Sequence, residues 1–191
     1  KATSALPSHL IIELTSRRTA GDRTGWFPRA SDEARTLDEW TDFLARAARD
    51  LPNLAVTFAG RGDPVEHPDA HAVLRAARDA GVAHIHVRTD PSRPVDQLRP
   101  LLGLCDVLSL DLLANTAATH ERLVADGRYE AAVSAIETLL AERDGRLPWI
   151  VPRITRCDAT MGEIEGFYDR WLMRAGAAVI DPLPATASDR L

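Results

Sequence analysis

Residues 83–88 read Ala-His-Ile-His-Val-Arg, and this alternation decides the fold. Successive side chains of a β-strand point to opposite faces, so the three apolar residues share one face while the two histidines and the arginine share the other. A strand covered by helices on both faces is apolar throughout. We therefore expect this strand to pack one face against helices and to turn the other toward a polar, water-accessible space.

The same two-faced pattern recurs along the chain. The polar face collects Glu13, Thr15, His84, His86, Arg88, Ser109, Asp111, Arg153 and Thr155. A doubly wound sheet would bury these groups between two helix layers at a large desolvation cost, whereas the interior of a barrel can hold them. The most polar members lie near the carboxyl ends of their strands, where barrels of this connectivity place their sites.

Strand-like and helix-like segments alternate from end to end, which is typical of βα units around a parallel sheet. We predict strands at 9–14, 53–59, 82–88, 106–110, 149–155 and 177–180. We predict helices at 36–50, 69–80, 95–102, 117–124, 129–142 and 162–174, the first starting at a capping box and the second stopping at Gly81. The sequence thus predicts an α/β fold, a partial (β/α)6 TIM-like barrel with parallel strands in a single domain.

Composition excludes several chemistries. The chain has 191 residues and a net charge of −5, and the only lysine among its 23 basic residues is Lys1. No internal lysine is present for a Schiff base or a phosphate-binding loop. The acidic balance argues against nucleic acid as a partner, and no apolar run approaches the roughly 20 residues of a membrane helix. Since the first residues also lack a signal-peptide core, we expect a cytoplasmic protein.

Four motifs in the expected order resemble the radical S-adenosylmethionine (radical SAM) enzymes. Residues 57–69, TFAGRGDPVEHPD, are similar to that family's Gly-Glu-Pro-Leu-x-His-Pro-Asp segment. Residues 87–90, VRTD, and 109–111, SLD, are similar to the ends of its third and fourth strands. Residues 151–171 resemble the fifth strand and helix of the SPASM-type subgroup. The resemblance runs from about residue 10 to 180 and implies the family's partial barrel.

The chain departs from the family at its cluster loop. The resemblance places a C-x3-C-x2-C motif after the first strand, but Arg18, Asp22 and Gly25 occupy the three cysteine positions. Arginine and glycine side chains cannot ligate iron, so we expect no 4Fe–4S cluster and no radical chemistry. The two cysteines, Cys105 and Cys157, are expected at opposite ends of the barrel and cannot replace the motif. We expect a buried Cys105 and a partly exposed Cys157.

The resemblance also implies contacts to S-adenosylmethionine (AdoMet), which remains a possible ligand. Gly60, Gly62 and Asp63 match the segment that contacts its amino group, and the ribose and carboxylate would lie near Ser109, Asp111 and Arg153. The alternative is that residues 60–64 form only a tight strand-to-helix turn. The sequence does not choose between these two interpretations.

Two further interpretations stay open. His84 and His86 on one strand face, with Asp111 and Glu13, would suit zinc or manganese in a metal-dependent hydrolase or isomerase. Histidines hydrogen-bonded to neighbouring polar groups are the alternative. The second interpretation is a small acidic ligand held by arginines, for which the candidates are Arg18, Arg23, Arg88 and Arg153. The alternative is that these arginines simply pair with carboxylates. Trp40 is expected in the core, and Trp26 in a lid or an interface.

Taken together, residues 1–191 read as a degenerate radical-SAM-like domain of a longer chain. We expect a non-radical binding or structural role, a pseudoenzyme whose partners are other domains of the same polypeptide. No catalytic residue can be named from the sequence.

Overall fold

The computed structural model describes residues 7–18, 35–125 and 127–182, which contain six parallel strands and six α-helices. At least one helix follows each of the first five strands, and two helices separate the fourth strand from the fifth. The strands are β1 His9–Ile12, β2 Ala55–Phe58, β3 His84–Thr89, β4 Val107–Leu113, β5 Trp149–Arg156 and β6 Val179–Pro182. The helices are α1 Leu37–Asp50, α2 Ala70–Asp79, α3 Val95–Leu98, α4 Ala117–Leu123, α5 Tyr129–Glu142 and α6 Ile164–Ala175. Every predicted strand and helix is present, so the predicted element order is confirmed.

The strands form one sheet in the order β1-β2-β3-β4-β5-β6, and every neighbouring pair is parallel. The sheet curls into a half-barrel with the helices around it, which confirms the predicted partial TIM-like barrel in a single domain. Because all six strands run parallel, their carboxyl ends meet at one edge of the sheet.

The outer, helix-facing side chains of the strands form the core. Ile85 and Val87 of β3 and Leu108 and Leu110 of β4 are almost fully buried. They pack in a single large apolar cluster that also contains α6 residues such as Trp171. The alternation in residues 83–88 therefore has the predicted cause, since the apolar face packs under helices and the polar face lines the concave interior.

Helix boundaries follow local capping chemistry. Thr36 and Glu39 form the predicted capping box at the start of α1. After α2 the chain passes through Gly81 at φ 86°, a left-handed conformation that glycine adopts without strain. The prediction of a helix over 95–102 is wrong in its second half, because the α-helix ends at Leu98 and a 3-10 turn, Arg99–Gly103, follows. Pro100 lies in that turn and has no N–H to donate to an α-helix.

None of the helices in the described ranges is both long and apolar enough to cross a bilayer.

Candidate functional site

A chain of hydrogen bonds crosses the concave face of the half-barrel from the first strand to the last. Each strand contributes one polar side chain, and in strand order these are His9, Thr57, His86, Ser109, Arg153 and Asp181. The distances are 2.8 Å from His9 Nε2 to Thr57 Oγ1, 3.2 Å from that oxygen to His86 Nδ1, and 2.8 Å from His86 Nε2 to Ser109 Oγ. Arg153 Nε then donates to Asp181 Oδ2 over 2.9 Å. The polar side chains of the interior therefore form hydrogen bonds with one another.

His86, at the centre of this series of hydrogen bonds, is held neutral. Burial, and then the positive charges of Arg153 and Arg88, lower the pKa of His86 from 6.5 to about 4. A neutral imidazole has one donor and one acceptor nitrogen, and here both nitrogens already have hydroxyl partners.

Three arginines surround Asp111 at the carboxyl end of the barrel. Arg88 Nε donates to both carboxylate oxygens of Asp111, over 2.8 and 2.9 Å. Arg18 Nη2 lies 3.3 Å from Oδ2, and Arg153 Nε lies 3.6 Å from Oδ1. The Asp111 side chain is only 2% exposed, so this carboxylate is compensated by charges drawn from the β1 loop, β3 and β5.

Asp181 on β6 provides a second carboxylate beside the first. It accepts from Arg153 and forms an ion pair with Arg88 Nη2 at 3.2 Å. Burial alone would lower the pKa of Arg88, but Asp111 and Asp181 together raise it. Sequence reasoning missed Asp181 because the predicted sixth strand stopped at residue 180; one more residue of alternation would have placed it on the polar face.

The chain segment after β1 covers the two glycines that the resemblance assigns to AdoMet. A Cβ atom on Gly60 would lie closer than 3.0 Å to the Glu13 side chain, and one on Gly62 would clash with the backbone of Thr15. Backbone N–H groups of residues 61 and 63 form hydrogen bonds with the segment after β1. Arg61 N donates to Glu13 Oε2 over 2.6 Å, and Asp63 N donates to the carbonyl of Arg17 over 2.8 Å. Glycine is needed at position 62 because two stretches of backbone meet there, whereas a Cβ on Gly60 would meet only the side chain of Glu13.

Asp63 is turned into the protein. Its carboxylate accepts from the backbone N–H groups of Val65 and Asp90, each over 2.9 Å, and from the Thr89 hydroxyl over 2.7 Å. Arg93 Nε lies 3.2 Å away. With 2% of the residue exposed, Asp63 caps a 3-10 turn, Pro64–Glu66, and ties it to the end of β3. These contacts favour the tight-turn interpretation of residues 60–64.

Little space remains among these groups. A cavity of about 10 Å³ is lined by Arg18, Gly60, Gly62, Asp63, Arg88, Thr89 and Asp111. That volume holds one water-sized group.

A larger cavity lies at the opposite, amino end of the strands. It has a volume of about 340 Å³ and is lined by His9, Ala55, Val56, Thr57, His84, Ile85, His86, Asp106 and Val107. His84 is exposed at this end, while Asp111 lies among the arginines at the other. The structure does not assemble the hypothetical His84, His86 and Asp111 metal set. Over residues 7–18, 35–125 and 127–182, no three His, Cys, Asp or Glu side chains are arranged to hold a metal ion.

Both cysteines are buried free thiols. The prediction of a partly exposed Cys157 is wrong, because it packs in a small cluster with Ala114, Leu123 and Val124. Burial raises the pKa of Cys105 to about 12, so this sulfur stays protonated. Neither environment is that of a thiolate ligand.

Of the three positions that the resemblance aligns with cluster cysteines, the structure describes only Arg18. The other two, Asp22 and Gly25, lie outside the described residues, as do Arg23 and Trp26. Trp40 is buried in the core as predicted.

The sequence matches no protein-family model and no curated protein, whereas solved structures do match the fold. SuiB of Streptococcus suis, solved with its precursor peptide SuiA, has a TM-score of 0.76 at 14% identity over 92% of this chain. The hydrogenase maturase HydG of Carboxydothermus hydrogenoformans has 0.70 at 14% over 96%. The protein anSMEcpe, solved with bound AdoMet, has 0.73 at 9% over 91%.

These are radical SAM enzymes, so the chain has a radical SAM-like fold, as its motifs predicted. The chain spans 39% of SuiB, 46% of HydG and 50% of anSMEcpe.

Proposed function

We propose that this chain is a radical-SAM-like domain without a 4Fe–4S cluster, and that it serves as a non-radical structural or binding domain of a larger, cytoplasmic protein. One observation carries the proposal. Arg18, at the first cluster position, extends into the half-barrel and pairs with Asp111. A guanidinium has no lone pair to offer iron, so this position contributes a fixed positive charge instead of a thiolate ligand.

The rest of the cluster does not fit the chain either. Glycine at position 25 has no side chain, and a single aspartate at position 22 would be a weak iron ligand. The only thiols, Cys105 and Cys157, are buried at other places in the fold. Without a cluster there is no electron donor for cleavage of AdoMet, so no radical step is assigned to this domain.

The contacts at the carboxyl end also argue against AdoMet as a ligand. The backbone N–H groups of Arg61 and Asp63 are used by the segment after β1, and the Asp63 carboxylate is used by β3. A retained AdoMet or nucleoside pocket would therefore require residues 13–18 to move.

Two observations support a role within a larger polypeptide. The similar structures are about twice as long as the part matched by this chain. Four of the exposed large apolar side chains are concentrated on α6 and β6, namely Tyr168, Leu172, Met173 and Ile180. Such a concentration is typical of contact with another domain. The net charge of −5 makes nucleic acid an unsuitable partner.

The test is anaerobic reconstitution of the protein with iron, sulfide and reductant, followed by incubation with AdoMet. We expect no visible iron–sulfur absorbance and no 5′-deoxyadenosine. The matched control carries Arg18→Cys, Asp22→Cys and Gly25→Cys together, which restores three thiolates to the same loop. Catalytic deoxyadenosine formation by the unaltered chain would overturn the proposal.

Calorimetry tests the AdoMet site separately. We expect no binding heat at millimolar AdoMet. A saturable isotherm from the unaltered chain would show a retained pocket and would contradict the argument from Gly60, Gly62 and Asp63.

A further inference from the structure

We propose that the carboxyl end of this half-barrel is a guanidinium-binding site, which the chain fills with its own Arg18. The inference concerns the same end of the barrel as the proposed function. It depends on the proposed function in one respect, namely that no cluster occupies the position of Arg18.

The acceptor is built on rigid elements. Asp111 lies on β4 within the six-stranded sheet, and Arg88 on β3 fixes the plane of its carboxylate by donating to both oxygens. Arg88 is in turn paired with Asp181 on β6. The carboxylate is therefore held in one orientation by neighbouring strands, independently of Arg18.

Arg18 reaches this carboxylate from a different kind of element. It follows β1 in a segment without regular structure and lies 93 positions before Asp111 in sequence. Its side chain is nevertheless only 14% exposed. A long side chain from a loop, inserted into a recess formed by strands, has the geometry of a tethered ligand.

The recess suits a guanidinium better than an ammonium. A guanidinium is planar, remains charged at all accessible pH values and presents several donors at fixed angles. Both oxygens of Asp111 accept from Arg88 Nε, and Arg18 Nη2 adds a contact to Oδ2 at 3.3 Å. The adjoining space is bounded by Gly60, Gly62 and Thr89, so little side-chain bulk opposes a flat group. An ammonium is a compact point charge that prefers its hydration shell.

The test is chemical rescue of Arg18→Ala, followed by thermal unfolding. Loss of the guanidinium leaves a recess beside Asp111, and we expect the melting temperature to fall by about 3–6 °C. Methylguanidinium chloride at about 20 mM should restore at least half of this loss by binding the folded state. Methylammonium chloride at the same ionic strength should restore much less.

The matched control is Arg146→Ala, which removes the same group from an exposed position between α5 and β5. Here methylguanidinium should give no more protection than methylammonium. Combining Arg18→Ala with Asp111→Asn should abolish the rescue, because the amide has lost the charge that the guanidinium binds.

Arg18→Met provides a second route if the alanine variant does not fold. Methionine keeps the apolar stem and removes only the head group, and guanidinium chloride is then the probe. The proposal is overturned if methylguanidinium protects both arginine variants equally, if methylammonium is as effective, or if rescue survives the change at Asp111. Since none of these readings involves iron or deoxyadenosine, they are independent of the reconstitution test.

Discussion

Individual carboxylates join loops and strands inside this half-barrel. Asp63 accepts from two backbone N–H groups and from the Thr89 hydroxyl, and thereby joins the β2 loop to the end of β3. Asp111 joins the β1 loop to β3 and β5 through arginines. A buried carboxylate with several donors is fully satisfied, so its removal leaves those donors without a partner.

His86 gives the interior a defined pH dependence. Because burial and neighbouring arginines lower the pKa of His86 to about 4, the unfolded chain takes up a proton near pH 6.5 and the folded chain does so only near pH 4. Protonation therefore favours the unfolded state across this window. The histidine should weaken folding as pH falls from 6.5 to 4 and have no such effect above pH 7.

His86→Gln tests this by urea unfolding at several pH values. The wild type should lose about 1–2 kcal/mol more than the variant between pH 7 and pH 4, an amount reduced by partial exposure of the ring. Carboxylate effects are common to both proteins and cancel in the difference. A difference that does not change with pH would contradict the assignment.

Among the elements, β1 is shorter than predicted, and the segment after it takes a different path. The apolar pattern Leu10, Ile12 and Leu14 predicted a strand to residue 14, but pairing stops at Ile12. Leu14 remains buried although it lies outside the strand. From Glu13 onward, the chain crosses the β2 loop and bonds to Arg61 and Asp63.

Gly62→Ala tests how closely this segment is packed. The added Cβ would overlap the carbonyl of Thr15, and since backbone cannot move aside cheaply we expect a loss of about 1–3 kcal/mol in the free energy of unfolding. Gly103→Ala is the matched control, because a Cβ there meets nothing within 4 Å. It should be neutral or slightly stabilising. Equal losses in both variants would show that the two backbones are not in contact.

At the scale of the whole molecule, one sheet and one large core join the described elements. Strands β1 to β5 and helices α1, α2, α5 and α6 all contribute buried residues to the same apolar cluster. No described element has a separate core of comparable size; the second cluster is confined to a few residues around Cys157. Structures organised in this way unfold as a unit.

Thermal unfolding should therefore show one transition. We expect far-ultraviolet circular dichroism and tryptophan fluorescence to give the same midpoint, with a calorimetric to van't Hoff enthalpy ratio of about 1. Two separated transitions would indicate that part of the half-barrel folds independently.

The order of strands and helices, their polar and apolar faces, and the lack of cysteine at positions 18, 22 and 25 can all be read from the sequence alone. These are local properties, since periodicity and residue identity do not depend on distant contacts. The family resemblance also named Asp63 and Asp111 as candidate AdoMet contacts, though the sequence could not choose between ligand contact and internal pairing.

Only the tertiary structure decided where these groups find their partners. Arg18 meets Asp111 across 93 residues, and Asp181 meets Arg153 across 28. Such pairs depend on strand register, on the curl of the sheet and on the path of the chain after β1. A one-residue change in register would turn each side chain to the other face, so no local pattern could have specified them.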